Sequence, residues 1–138
     1  MSGLLCLGLG GILGAWSRYG LQMIIPAGNH EFPLSVMLIN WIGCLFLGWF
    51  FTLTPLYWRI SPPLRLGIGT GFTGAFTTFS TFSVDIVHLM DLGYGGTALL
   101  YMTASVGGGL LLSWAGVQLG MITGRQWRSP GRDKEGRV

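Results

Sequence analysis

Charged residues are scarce in this chain, and that scarcity excludes most soluble folds. Only 9% of its 138 residues are Asp, Glu, Lys or Arg, whereas about 25% is usual for a soluble domain. Half of the residues are hydrophobic, and the mean hydropathy is +0.57. The composition therefore predicts an all-α membrane protein.

The arrangements that catalysis or metal binding requires are also missing. Cys6 and Cys44 both fall in apolar stretches and are predicted to be small buried side chains, not a disulfide or a metal pair. His30 and His88 have no partner at metal-ligand spacing. Since no Ser-His-Asp, Cys-His or paired-carboxylate arrangement occurs, we predict that the protein is not an enzyme. The basic residues form no patch interleaved with aromatic rings, so nucleic acid is not an expected partner.

Apolar runs of about 20 residues, the length that crosses a bilayer, can be drawn four times along the chain. The predicted spans are listed by number: about 3–25, 34–53, 64–90 and 97–122. They make a four-helix transmembrane domain, residues 1–123. The polar, basic residues 124–138 are predicted to be a disordered tail.

Basic residues are divided unevenly between the two sides of the membrane. Four spans place both termini on one side, together with Arg59, Arg65 and the tail residues Arg125, Arg128, Arg132, Lys134 and Arg137. The opposite loops contain no Lys or Arg. The positive-inside rule therefore predicts a multi-pass protein of the cell membrane with its termini in the cytoplasm.

The third predicted span is unusual because glycines and hydroxyls interrupt its centre, in the stretch Gly71-Phe-Thr-Gly-Ala-Phe-Thr-Thr-Phe-Ser-Thr-Phe-Ser83. Such groups are tolerated at bilayer depth only where they meet protein, water or an ion. We therefore predict that this helix is broken near its centre and lines something. The run Gly69-Thr-Gly-Phe-Thr-Gly74 fits a dinucleotide pattern, but no strand precedes it, so no organic cofactor is expected.

Phe76, Phe79 and Phe82 recur at every third position and would share one slowly turning face of a helix. The simpler interpretation is lipid contact or core packing. The alternative is a path for a small anion, because the positive edges of aromatic rings would alternate with hydroxyl donors such as Ser80 and Thr81. Without a fixed cation, binding would stay weak enough for the ion to leave.

Three other polar side chains lie inside the predicted spans, and each has a structural and a functional interpretation. Asn40 would either bond another helix or donate its amide N–H to an anion. Arg18 would either reach the membrane surface or set a positive field near the path. Asp85 would either lie near a helix end in water or relay protons.

Three glycine pairs have the spacing at which helix backbones approach closely: Gly10-x-x-x-Gly14, Gly116-x-x-x-Gly120 and Gly120-x-x-x-Gly124. Four glycine-rich helices alone would scarcely bury a broken span. We therefore expect the chain to oligomerise.

Together these residues resemble the CrcB family of fluoride channels, also called Fluc, over all four spans. The resemblance is carried by Gly11-x-x-Gly14-Ala15-x-x-Arg18-Tyr19, by Asn40-x-x-Gly43 with Gly48, by the third-span motif, and by Tyr101 and Ser105. Two departures stand out. Ser35 and Val36 occupy places where the family usually has Gly-Thr, and Asp85 replaces a glutamate.

The resemblance implies an antiparallel, dual-topology homodimer that passively exports fluoride from the cytoplasm and lowers its toxicity. Phe79 and Phe82 would be pore rings and Asn40 an amide donor. Tyr101 and Ser105 would line the pore further. The family also implies a structural sodium ion at the dimer centre, held by the backbone carbonyls of Gly74 and Thr77.

Alternatives remain for the assembly and for the function. The charge bias suits an antiparallel homodimer poorly, so an inverted paralogous partner is the second assembly. A proton-coupled transporter of fluoride or small solutes, using Asp85, is the second function. A non-conducting scaffold held together by glycine packing is the third.

Overall fold

The computed structural model describes residues 2–25, 32–58 and 60–127, apart from the side chain of Trp127. Within these ranges the chain is helical and contains no strand. The elements are α1 (Ser2–Ile24), α2 (Leu34–Leu56), α3 (Pro62–Leu66), the π-helix π1 (Gly67–Phe72), α4 (Thr73–Phe76), α5 (Phe79–Asp91) and α6 (Gly95–Trp127). His30 and Arg59 lie outside the described residues, as do residues 128–138 of the predicted tail.

Three of these helices, α1, α2 and α6, are long and apolar enough to cross a membrane. The first two match the predicted spans closely. The helix α6 has 33 residues, or roughly 50 Å at 1.5 Å per residue, which exceeds the ~30 Å hydrocarbon core. It continues through Trp127, past the boundary predicted at residue 123.

The third predicted span is a chain of short helical pieces and not one helix. A first half runs through α3, π1 and α4 to Phe76, and a second half, α5, begins at Phe79. The interruption therefore falls in the stretch where glycines and hydroxyl side chains lower the preference for helix. The fourth crossing stays a prediction, because it depends on the two halves acting together.

Glycines set how the helices pack. Gly10 and Gly14 of α1 lie directly against the backbone of Gly67 and Phe72, so α1 packs along the first half of the third segment. On the other side of the molecule, α2 packs along α6 with glycines of both helices at the contact: Gly48, Gly116, Gly120 and Gly124. The close approaches predicted from the glycine spacings are confirmed.

The chain reverses direction after α5, so that α5 packs against α6 and completes a small apolar core. Gly93 makes this turn with φ of +83°, a conformation that glycine adopts without strain. The core is formed by buried side chains of α2, α5 and α6: Val36, Met37, Phe82, Leu89, Ala98 and Tyr101. This core holds the second half of the third segment against the two long helices.

Replacing Gly14 by valine should weaken the packing of α1. A Cβ at this position would overlap the backbone of Phe72, which cannot move aside as a flexible side chain can. We expect a loss of about 1–3 kcal/mol, the usual effect of overpacking, measured as unfolding in detergent.

The control is Gly8→Val in the same helix, where nothing lies within 4 Å of an added Cβ. Equal stability of the two variants would contradict the proposed contact.

Candidate functional site

The centre of the third segment is a two-residue stretch of extended backbone. Thr77 has φ −79° and ψ 157°, and Thr78 has φ −143° and ψ 115°. Both residues are β-branched, which lowers their preference for helix. The break predicted from the sequence is therefore present, and it leaves backbone groups that need other partners.

Asn40 of α2 satisfies both backbone groups of Thr78. Its Nδ2 donates to the Thr78 carbonyl at 3.1 Å, and the Thr78 N–H donates to its Oδ1 at 2.8 Å. Gly43, one turn further along α2, lies against the Thr77 methyl group, so a larger residue there would push the break away. Only one of the two amide hydrogens of Asn40 is used on Thr78. The other stays free for the anion to which Asn40 was predicted to donate.

The carbonyls of Gly74 and Thr77 have lost their usual helical donors. In a continuous helix the N–H of Thr78 would bond to Gly74, and the N–H of Thr81 would bond to Thr77. Here the Thr78 N–H bonds to Asn40, and the Thr81 N–H bonds to the Thr78 hydroxyl at 3.2 Å. Gly74 is exposed, with open space where a Cβ would stand. These two carbonyl oxygens are therefore suited to a cation, which prefers oxygen ligands.

The second half of the segment begins with a polar helix terminus. Thr78 is the N-cap of α5, and its hydroxyl also meets the hydroxyls of Thr81 at 2.9 Å and Ser80 at 3.3 Å. The N–H groups of Phe79 and Ser80 have no intrahelical acceptor at this position. The helix dipole adds partial positive charge at this end, so the terminus favours an anion.

Aromatic rings form a row that leads away from this terminus. The Phe79 and Phe82 ring centroids are 5.7 Å apart, those of Phe82 and Tyr101 are 5.3 Å apart, and those of Tyr101 and Phe32 are 5.6 Å apart. Exposure differs sharply along the row: Phe79 is 79% exposed, Phe82 is 9% exposed and Tyr101 is fully buried. Within one subunit, Phe79 is thus free to contact an ion or a partner.

Phe76 does not belong to this row, so the expectation of a shared face with Phe79 and Phe82 is wrong. The break at Thr77 and Thr78 separates Phe76 from the other two. Its ring is buried and stacks on Phe72 instead, with centroids 5.7 Å apart.

Tyr101 is paired with the carboxylate that the sequence placed inside a span. Its hydroxyl donates to Asp85 Oδ2 at 3.3 Å. Val36, the apolar departure from the family pattern, packs in the same core cluster as Tyr101. The tyrosine predicted to line a pore is therefore held from inside the subunit by one carboxylate and by apolar packing.

Ser105 presents a buried hydroxyl that has no hydrogen-bond partner among the described residues. Its backbone carbonyl accepts a hydrogen bond from Trp41 Nε1 at 3.2 Å. A buried hydroxyl without a partner is costly in an apolar environment. Its capacity to donate a hydrogen bond is therefore unused among the described residues.

The structure brings most of the predicted site residues together, with one exception. Arg18 is half-buried in α1, and no hydrogen bond between described residues joins it to the break. Sequence reasoning did not single out two residues that organise the site, Thr78 and Trp41. Thr78 carries a detectable signal, since threonine favours the N-cap position. Trp41 carries none beyond its place next to Asn40.

Comparison with known proteins places these residues in context. A family model described as "CrcB-like protein, Camphor Resistance (CrcB)" matches residues 5–117. Over 116 residues the chain is 47% identical to the "Fluoride-specific ion channel FluC 2" of Geobacillus kaustophilus (strain HTA426), covering 81% of this chain and 88% of the relative.

Two further relatives carry the name "Fluoride-specific ion channel FluC 1". The protein of Bacillus cereus (strain ATCC 14579) is 47% identical over 114 residues, covering 82% of this chain and 79% of the relative. The protein of Moorella thermoacetica (strain ATCC 39073) is 44% identical over 119 residues, covering 86% and 85%. The range that the family model matches, residues 5–117, includes the whole candidate site.

Replacing Asn40 by alanine should loosen the break. The change removes both bonds to Thr78 and leaves its buried backbone groups unpaired, so we expect a loss of about 2–4 kcal/mol. Amide hydrogen exchange at residues 77–82 should accelerate.

Thr52→Ala is the control on the same helix, since its hydroxyl bonds locally to the Gly48 carbonyl at 2.7 Å. If Asn40→Ala exchanged no faster than this control, the Asn40 amide would not be what holds the break.

Proposed function

This chain belongs to the CrcB family, a family of ion channels and not of enzymes, and we propose that it is a fluoride-selective channel of the cell membrane. It exports fluoride passively from the cytoplasm and so lowers its toxicity. Hydrogen fluoride crosses membranes as a neutral acid and ionises inside. The membrane potential then drives the anion outward with about 2.3 kcal/mol per 100 mV.

The observation that carries this proposal is the capped terminus of α5 beside a row of aromatic rings. It offers the N–H groups of Phe79 and Ser80, the hydroxyls of Ser80 and Thr81, and the edge of the exposed Phe79 ring. All these donors are neutral. They can replace water around a small anion without binding it too tightly to release.

Two neighbouring helices supply further donors to the proposed pathway. The second hydrogen of the Asn40 amide and the unpartnered Ser105 hydroxyl lie on α2 and α6. Tyr101 supplies its ring, since its hydroxyl already donates to Asp85. Arg18 acts at longer range, by adding positive potential near the pathway.

A second, inverted copy of the chain completes the pore in this proposal. The outer face of α5 carries large exposed side chains, including Phe79 and Val84, at 79% and 66% exposure. A shallow depression of about 380 Å³ runs along it, lined by Ser83, Val84, Val87, His88 and Asp91. Because a broken segment at bilayer depth needs protein cover, we propose that a partner subunit covers this face. An antiparallel homodimer is the simplest assembly, and an inverted paralogue is the alternative.

A sodium ion at the dimer centre would satisfy the backbone carbonyls of the break. The carbonyls of Gly74 and Thr77 have lost their helical donors, and Gly74 is exposed. Two inverted copies would supply four such oxygens to one ion. The role of that cation is structural: it would join the two breaks and would not move with fluoride.

Asp85 favours one second candidate, a proton-coupled fluoride transporter. Its carboxylate accepts a hydrogen bond from the buried Tyr101 next to the aromatic row. A carboxylate within a span is a common proton carrier. The pairing with Tyr101 also has a purely structural explanation, because it satisfies a hydroxyl that would otherwise be buried alone.

Purified protein in liposomes should release fluoride and retain chloride when an ionophore clamps the potential. Phe79→Ile should reduce fluoride efflux at least about 10-fold, because it removes the aromatic edge from the anion's path. A fluoride electrode follows the release.

Phe51→Ile is the matched control, since Phe51 packs beside Gly69 and under Arg65, away from the break. No release by the natural sequence would reject the channel, and full release by Phe79→Ile would reject the role of that ring.

Asp85→Asn separates a channel from a proton-coupled transporter. The amide still accepts from Tyr101 but cannot carry a proton, so a channel should keep efflux within about threefold and show no need for a pH gradient. Efflux that requires a pH gradient, and that Asp85→Asn abolishes, would favour the transporter instead.

A further inference from the structure

Several helical hydroxyls of this protein bond in the same way, and two buried hydroxyls, those of Ser105 and Thr54, do not. Helical Ser and Thr side chains commonly donate to the carbonyl one turn back. Five hydroxyls do so here, with donor–acceptor distances of 2.7–2.9 Å: Ser17, Thr52, Ser83, Thr103 and Thr123. The Ser105 hydroxyl has no such bond, although it is buried and the Tyr101 carbonyl lies one turn back.

The turn of α6 that carries Ser105 is fixed from outside by Trp41. The Trp41 indole donates to the Ser105 carbonyl at 3.2 Å. Its ring also lies against Gly108, where an added Cβ would overlap it. The hydrogen bond fixes the position of this turn along the axis of α6. The flat ring against Gly108 fixes its rotation about that axis.

Trp41 directly follows Asn40, and the two neighbours hold different walls of the site. Asn40 binds the Thr78 backbone at the start of α5, and Trp41 binds the Ser105 backbone on α6. Both use side-chain hydrogen bonds to main-chain atoms, which fix a backbone and leave the neighbouring side chains free. One turn of α2 therefore sets the distance between the α5 terminus and the Ser105 hydroxyl.

We propose that Trp41 is a positioning residue of the pore, which holds α6 so that the Ser105 hydroxyl stays free to bind the permeating anion. This inference rests on the proposed function. When the indole N–H is lost, the turn relaxes and the Ser105 hydroxyl donates to the Tyr101 carbonyl, as the five hydroxyls named above do to theirs. The pathway then loses one donor without losing a side chain.

The test is a double-mutant cycle on fluoride efflux from liposomes, with Trp41→Phe, Ser105→Ala and the pair. Trp41→Phe keeps an aromatic ring at position 41 and removes the donor. We expect it to slow efflux roughly 3- to 20-fold, the range that one interhelical hydrogen bond in a membrane supports. Because Trp41 acts through Ser105, the pair should be no slower than Ser105→Ala alone.

Trp49→Phe is the matched control, a half-buried tryptophan on the same helix that packs against Phe46 and Trp58. It should leave efflux unchanged. If Trp41→Phe does not fold, 3-benzothienylalanine at position 41 keeps the bicyclic shape and lacks only the N–H.

Two outcomes would overturn the proposal while leaving the channel intact: efflux through Trp41→Phe or its benzothienyl counterpart equal to that of the natural sequence, or effects of Trp41→Phe and Ser105→Ala that multiply. A natural sequence that releases no fluoride would instead reject the channel itself.

Discussion

Backbone amides cannot remain unpaired inside a bilayer, and this chain interrupts the helical hydrogen bonds at the centre of its third predicted span. Thr77 and Thr78 leave the helical conformation. A side chain from another helix, Asn40, therefore takes over both backbone bonds of Thr78. Both backbone groups of Thr78 are thus hydrogen-bonded within this one chain. The carbonyls of Gly74 and Thr77 keep their oxygens available, and the α5 terminus keeps its N–H groups available.

The rest of the packing positions this break. Close glycine contacts bring α1 against the first half of the third segment and α2 against α6. The core around Phe82 and Tyr101 then holds α5 against both long helices. The half of the site around Phe82 and Tyr101 is therefore buried. Around the break itself, Gly74, Phe79 and Ser80 are exposed, as the proposed second subunit would require.

The sequence contained enough information to predict the membrane class, the break and the glycine contacts, because each follows from local composition or spacing. Partners across helices were harder to predict. The third-residue repeat of phenylalanines predicted one face, but that inference assumes a continuous helix, which the extended Thr77 and Thr78 interrupt. Periodicity also cannot show that Asn40 meets Thr78, that Tyr101 meets Asp85, or that Trp41 meets Ser105. These pairs depend on how three helices pack, and no local pattern encodes that.

The central claim is that neutral donors around a broken helix conduct a small anion passively and selectively. The most direct measurement is the reversal potential of currents through the protein in a planar bilayer, with opposing fluoride and chloride gradients and a superimposed pH gradient. The account predicts a shift of about 59 mV for each tenfold fluoride gradient, the value for one univalent ion, unaffected by chloride or pH. A reversal potential that follows chloride or protons would contradict it, as would the absence of any current.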